Sequence, residues 1–236
     1  MKFAILLLLS ISTLGQAKSF SVGPYAEYPL ANGIETRFNI NNTLELELKA
    51  GIISAGYVRA ASQAAYDSDI VGWDEAIVFD NSFENGFQFE IGVGTNLDSI
   101  NSDIYIDGGY GYLAGSGTLS SDEAYYLNLP FSIRNQLRFN RAFFGNDYSL
   151  SSQVHYLHGA IGHRIPVSKT IFFKSEFSIK TIAHHTLDVS GGNDVWGNEI
   201  YQLYFEDYFE NKQDNFLDSV PLVPTLTFGV YYGFDQ

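Results

Sequence analysis

Apolar and polar side chains alternate with a period of two along most of this chain, as they do in strands whose two faces meet different surroundings. Leu44, Leu46, Leu48, Ala50 and Ile52 share one face, while Glu45, Glu47 and Lys49 share the other. Phe87, Phe89, Ile91 and Val93 stand against Gln88, Glu90, Gly92 and Gly94. Ile104, Ile106, Tyr110 and Tyr112 oppose Asp103, Tyr105 and Asp107, and Leu127, Leu129, Phe131 and Ile133 oppose Asn128, Ser132 and Arg134. The pattern recurs in Ile171, Phe173, Phe177 and Ile179 against Lys174, Glu176 and Lys180. Near the C-terminus Leu222, Pro224, Leu226, Phe228, Val230, Tyr232 and Phe234 fall on every second position. These stretches predict ten strands, at 19–28, 33–40, 43–57, 84–97, 102–114, 124–138, 149–164, 169–185, 198–209 and 220–234, with eight or twelve as alternatives.

A soluble sandwich or lipocalin-like barrel turns such an apolar face inward, whereas a membrane barrel turns it out to lipid and keeps a polar lumen. The segments approach the 9–11 residues or so that a tilted membrane strand needs. Tyr25, Tyr28, Tyr57, Tyr125, Tyr126 and Tyr232 lie near strand ends, where an interfacial girdle belongs. The expected fold is therefore all-β, an antiparallel up-and-down transmembrane β-barrel. Connections at Asn41-Asn42, Leu97 to Asn101 and Pro166 to Thr170 read as short turns on one side of the membrane. Turns on one side demand an even number of strands between them, yet three fall between the last two. Either one turn faces outward or a further strand lies near Ala114 to Leu119. Long irregular stretches at 58–83 and 186–221 carry most of the acid, and within the second Ile200 to Phe209 reads as a strand projecting past the membrane.

The N-terminal segment has Lys2, an apolar run from Phe3 to Leu9, and small residues at Gly15 and Ala17, the layout of a secretory signal cut after Ala17. Its core is too short for a membrane helix. Residues 18–236 would then form one barrel domain. Cysteine is absent, which excludes disulfides, cysteine zinc sites and a lipoprotein anchor. Without Lys2 the mature chain has 12 basic and 27 acidic residues, a net charge of −15, which disfavours nucleic acid as a partner. Charged residues make up only 17% of the chain, where a water-soluble domain carries about a quarter.

The alternating strands, the strand–turn–strand passage Gly162-His163-Arg164-Ile165-Pro166-Val167-Ser168-Lys169-Thr170 and the run from Pro224 to Phe234 resemble the small outer-membrane β-barrel proteins of Gram-negative bacteria, of the OmpA, OmpX and OmpW type. The resemblance implies assembly into the outer membrane by the barrel-assembly machinery. It also implies contact with outer-membrane lipid and lipopolysaccharide, bridged by divalent cations where the loops are acidic. The family includes structural anchors, adhesins, small-solute pores and a few lipid-modifying enzymes, so activity stays open.

The polar strand faces carry Glu45, Glu47, Glu90, Asp103, Asp107 and Glu176 against Lys49, Arg134, Arg138, Lys174 and Lys180. Six acids against five bases predict a nearly neutral lumen in which charges pair and plug the barrel, because an unpaired charge in a low-dielectric interior is costly. A narrow, cation-preferring channel lined by the same groups is the alternative. A lipid-modifying hydrolase centred on His184 or His185 is a third reading, but His185-Thr186-Leu187-Asp188 lacks a serine nucleophile at the family's spacing. Asp67-Ser68-Asp69-Ile70-Val71-Gly72 approaches a calcium loop, yet Val78 stands where the closing glutamate belongs. The glycine-rich stretch from Gly108 to Gly117 suits a crowded lumen better than a phosphate loop. No cofactor is called for. The expectation is a non-enzymatic barrel with a structural or surface-interaction role.

Overall fold

Eight strands close into one antiparallel barrel in chain order, each paired with its sequence neighbours and the last returning to the first. The structure is a computed structural model and describes residues 19–41, 43–97, 103–120, 147–191 and 199–235, together with Glu123 and Leu127. The expected signal at 1–17 lies outside them. The strands are β1 (Ser19–Tyr28), β2 (Ala31–Asn39), β3 (Leu44–Ile53), β4 (Asn85–Asn96), β5 (Ile104–Leu119), β6 (Tyr148–Pro166), β7 (Ile171–Gly191) and β8 (Leu222–Asp235).

The count corrects the expected ten. Strand β5 pairs directly with β6 from Ile104↔His163 to Leu119↔Tyr148, so the barrel wall closes without the stretch 124–138. That stretch lies outside the described residues except for Leu127, which is buried with Val78, Leu119, Leu150, Leu187 and Phe209 instead of facing lipid. The parity problem disappears with it: two strands, β5 and β6, separate the turn near 97–103 from the turn at 167–170. All three short turns then share one rim with both ends of the barrel, here termed the turn side.

The second correction is helical. Residues 199–209 of the expected strand belong to α3 (Glu199–Ser219), and the irregular stretch 58–83 overlaps α1 (Ala55–Asp67) and holds α2 (Trp73–Ser82). Strand β3 ends at Ile53, short of the expected 57, because the alternation stops there and an alanine-rich run of high helix propensity begins. Val58, Ser62 and Ala65 line the buried side of α1 at helical spacing. Asp74 and Glu75 occupy the first turn of α2, where negative charge suits the helix dipole. Phe209, Gln213, Phe216 and Leu217 are buried along one face of α3. Phe79 stacks on Phe216 at 4.1 Å, joining α2 to α3. Tyr208 donates to Asp74 at 2.7 Å, Lys212 donates to Glu75 at 2.8 Å, and His185 Nε2 lies 2.7 Å from Asp214 Oδ1. Arg59 donates to Asp80 at 2.9 Å, and that hydrogen bond raises the guanidinium above its ordinary range. Together the helices form a cap on the rim opposite the turns.

The wall shows where the membrane lies. From the turn side to its middle, apolar residues point out: Ile106, Val93, Leu157, Ile161, Phe177, Ile179, Leu226, Phe228 and Val230 are all exposed. Toward the cap the polarity inverts. Ser149, Ser151, Gln153, Thr186 and Asp188 face outward, while Leu150, Val154 and Leu187 are buried inside against the cap helices. Strands β6 and β7, at 19 and 21 residues, are about twice as long as one bilayer crossing requires. Their lower halves therefore behave as a membrane barrel and their upper halves as a soluble one. The register slips between His155 and Tyr156, where Tyr156 faces Ile182 and His155 faces His184. Ala183 is thus the extra residue of a bulge, and the strand's inward parity passes from even to odd numbers there. Tyr110, Tyr112, His155 and His184 cluster on the outer surface at this level, with His155 5.0 Å from the Tyr112 ring and stacked 5.7 Å from His184. The belt below that line spans a membrane. Among the described residues no helix is long and apolar enough to cross one; the strands do.

Candidate functional site: the barrel lumen

An eight-stranded barrel is just wide enough for its interior to be filled by side chains. Here the filling is ionic. Arg37, projecting inward from β2, is the hub. Its guanidinium lies 2.6 Å from Glu35, 3.4 Å from Glu45, and 3.2 Å from both Asp107 and Glu176, and it donates to Glu47 as well. The Tyr105 ring sits 4.3 Å from the guanidinium carbon, which adds a cation–π contact.

Three lysines complete the lattice. Lys49 Nζ is 2.8 Å from Glu176, 2.9 Å from Glu47 and 3.4 Å from Glu90. Lys174 Nζ is 2.7 Å from Glu35 and 2.9 Å from Glu176. Lys180 Nζ is 2.6 Å from Glu27 and also pairs with Glu90. Tyrosine hydroxyls take up further carboxylate lone pairs: Tyr105 donates to Glu176 at 2.6 Å, Tyr231 to Glu35 at 2.8 Å and Tyr156 to Glu90 at 2.5 Å. Gln88 donates to Glu27 at 3.0 Å and to Glu90 at 2.7 Å. These pairs tie β1, β2, β3, β4, β5 and β7 to one another across the lumen, which the wall's backbone hydrogen bonds cannot do.

The two ends differ. On the cap side the ionic layer gives way to an apolar one, where Ile53, Phe83, Leu113, Val154, Tyr156, Phe216 and Leu217 pack together. On the turn side a polar recess of about 290 Å³ is lined by Ser19, Arg37, Asn39, Glu45, Asp103 and Arg164 among others. Arg164 pairs with Glu45 there, donates to Asn96 at 3.3 Å and lies over the Tyr105 ring at 4.5 Å.

Eight residues expected in the lumen meet there: Glu45, Glu47, Lys49, Glu90, Asp107, Lys174, Glu176 and Lys180 are all buried. Asp103 does not join them; it lies at the turn-side rim beside Arg164, whose amide donates to its carbonyl at 2.8 Å. Arg134 and Arg138 lie outside the described residues. Sequence reasoning placed Tyr105 on the polar face with Asp107 but missed Glu27, Glu35, Arg37, Arg164, His158, Tyr156 and Tyr231. Their signal was present: Glu35 and Arg37 alternate with Ile34, Thr36 and Phe38. Tyr25, expected in an interfacial girdle, is instead buried on the same inward face as Glu27. The expected near-neutral balance counts Arg134 and Arg138, which the described residues do not include. Among the described residues Glu27, Glu35, Glu45, Glu47, Glu90, Asp107 and Glu176 face Arg37, Lys49, Arg164, Lys174 and Lys180, an excess of two negative charges.

His184 and His185 are not one site. His184 stacks on His155 outside the barrel, whereas His185 turns in to Asp214 of α3.

No protein-family model matches the chain, and no curated protein matches it in sequence. Among solved structures it is similar to the N-terminal β-barrel domain of Pseudomonas aeruginosa OprF, at 8% identity and a TM-score of 0.43 over 92% of this chain and 98% of that one. It is similar to Acinetobacter baumannii CarO at 7% identity and a TM-score of 0.41, covering 91% and 97%. A major outer membrane protein from Thermus thermophilus matches at 12% identity and a TM-score of 0.43, covering 92% and 99%.

Proposed function

We propose that this chain is an integral outer-membrane barrel with a structural or surface-interaction role, non-enzymatic and closed to bulk ion flow. The outward apolar belt, the charged interior and the secretory layout of residues 1–17 support that location. Short turns on one rim and a large helical cap on the other match the periplasmic and extracellular ends of outer-membrane barrels. The cap then faces the medium, and its acidic surface is the part available to partners. The Tyr110, Tyr112, His155 and His184 cluster lies at the level where lipid and lipopolysaccharide headgroups would meet the wall, and divalent cations would let the acidic cap approach them. The barrel-assembly machinery would act on the chain during insertion.

The observation that carries the reading is the lumen itself. Arg37 and three lysines bridge opposite walls, and an apolar layer under the cap seals the other end. Among the described residues, the ionic lattice and the apolar layer above it both stand in the way of hydrated ions. Planar bilayers containing the refolded full chain test this. The expected trace is flat at applied voltages that resolve small pores; discrete, reproducible steps would contradict a plugged lumen.

A further inference from the structure

We propose that the lumen holds one divalent metal ion of the zinc class, ligated by Glu47, Asp107 and His158. Each of these residues offers a ligand atom, and the three atoms lie within 4.8 Å of one another. The wall is built to leave them room. Glu47 pairs with Gly92, Gly92 with Gly109, and Gly109 with His158, so Glu47 and His158 face each other across two residues without side chains. A Cβ at Gly92 would come within 3.3 Å of His158 Nε2, one at Gly109 within 2.8 Å of His158 Cε1, and one at Gly94 within 3.2 Å of Asp107 Cβ. Three glycines thus hollow out the wall beside the cluster.

The polar atoms there are unfinished. The His158 side chain is 1% exposed, yet neither ring nitrogen has a hydrogen-bond partner. Asp107 Oδ1 has none either, because Arg37 occupies Oδ2 at 3.2 Å. A buried polar group without a partner is expensive, and native interiors leave few of them. His158 Nε2 and Asp107 Oδ1 are 3.7 Å apart, too far for a hydrogen bond. Two atoms each about 2.1 Å from one ion, at a tetrahedral angle, stand about 3.4 Å apart. The gap therefore fits a shared ion better than a direct contact. Lys49 approaches Glu47 Oε1 at 2.9 Å, but a carboxylate oxygen has two lone pairs and can serve both. One imidazole with two carboxylates is a donor set for zinc, with manganese as the harder competitor.

The full chain, refolded from urea into detergent micelles with zinc or manganese present and then washed with chelator, provides the test. Folding is scored by migration on an unheated gel, and metal is counted by plasma mass spectrometry. The expected result is one zinc per folded chain, falling at least about tenfold in folded His158→Gln and in folded Asp107→Asn. Should either variant fail to fold, cobalt loaded into the wild type decides. Intense visible bands of a four- or five-coordinate ion support the site, and the weak bands of a six-coordinate, water-rich ion overturn it. Folded wild type that retains neither zinc nor manganese would also overturn it. Undiminished zinc in His158→Gln would overturn it equally.

Discussion

Arg37→Met is the most informative perturbation, because it removes the cation that, among the described residues, Glu35, Glu45, Glu47, Asp107 and Glu176 share, while keeping most of the side-chain volume. At the 3.2 Å separation of Arg37 from Asp107 and from Glu176, two unit charges attract by about 5 kcal/mol at an effective dielectric of 20. Desolvation offsets most of that in the native state, so the sum over five partners is not the stability at stake. What the variant adds is a set of buried carboxylates facing one another, with the described excess of negative charge rising from two to three. Breaking a buried pair by removing one partner costs about 3–5 kcal/mol. The upper end applies here, since among the described residues Arg37 is the Lys or Arg side chain that pairs with Asp107. Urea titration of the refolded chain in lipid bilayers, followed by tryptophan fluorescence and by the folded band on an unheated gel, measures the loss. Arg37→Lys should fall between wild type and Arg37→Met, because it restores the charge without the planar fork that reaches several acids at once. Adding Glu47→Gln to Arg37→Met should recover part of the loss, about 1–3 kcal/mol of coupling. An Arg37→Met barrel as stable as the wild type would refute the claim that the ionic lattice holds the lumen closed.

Two further outcomes test the orientation and the packing. Phe228 projects outward near the middle of β8, opposite Ser175, so Phe228→Arg should destabilise the membrane-inserted barrel by about 2–4 kcal/mol and have a smaller effect in detergent; equal effects in both media would place Phe228 away from lipid. Gly111→Ala would set a Cβ 2.1 Å from Cζ of Tyr156, whose hydroxyl is fixed on Glu90. The ring must move or the wall must shift, and the expected cost is about 1–3 kcal/mol, read as a lower urea midpoint.

What the sequence determined by itself is the part of the fold that each position settles locally. A residue facing lipid must be apolar and its neighbour facing the lumen need not be, so β1 was legible to the residue at 19–28 and β8 nearly so. The inward placing of Glu45, Glu47, Lys49, Lys174, Glu176 and Lys180 followed from the same alternation. A period of two, however, says which residues share a face and not which strands meet. Only closure of the barrel showed that β5 meets β6 and that the stretch 124–138 is not needed to complete the wall. The aromatic run at Ile200 to Phe209 fits a strand or a helix equally well by composition. Packing against the cap decided it, because only a helix puts Phe209, Gln213 and Phe216 on one buried side. Tertiary structure alone also made Arg37 the hub. Its partners lie on β2, β3, β5 and β7, as far as 139 residues away, and nothing short of the closed ring brings those carboxylates within reach of one guanidinium.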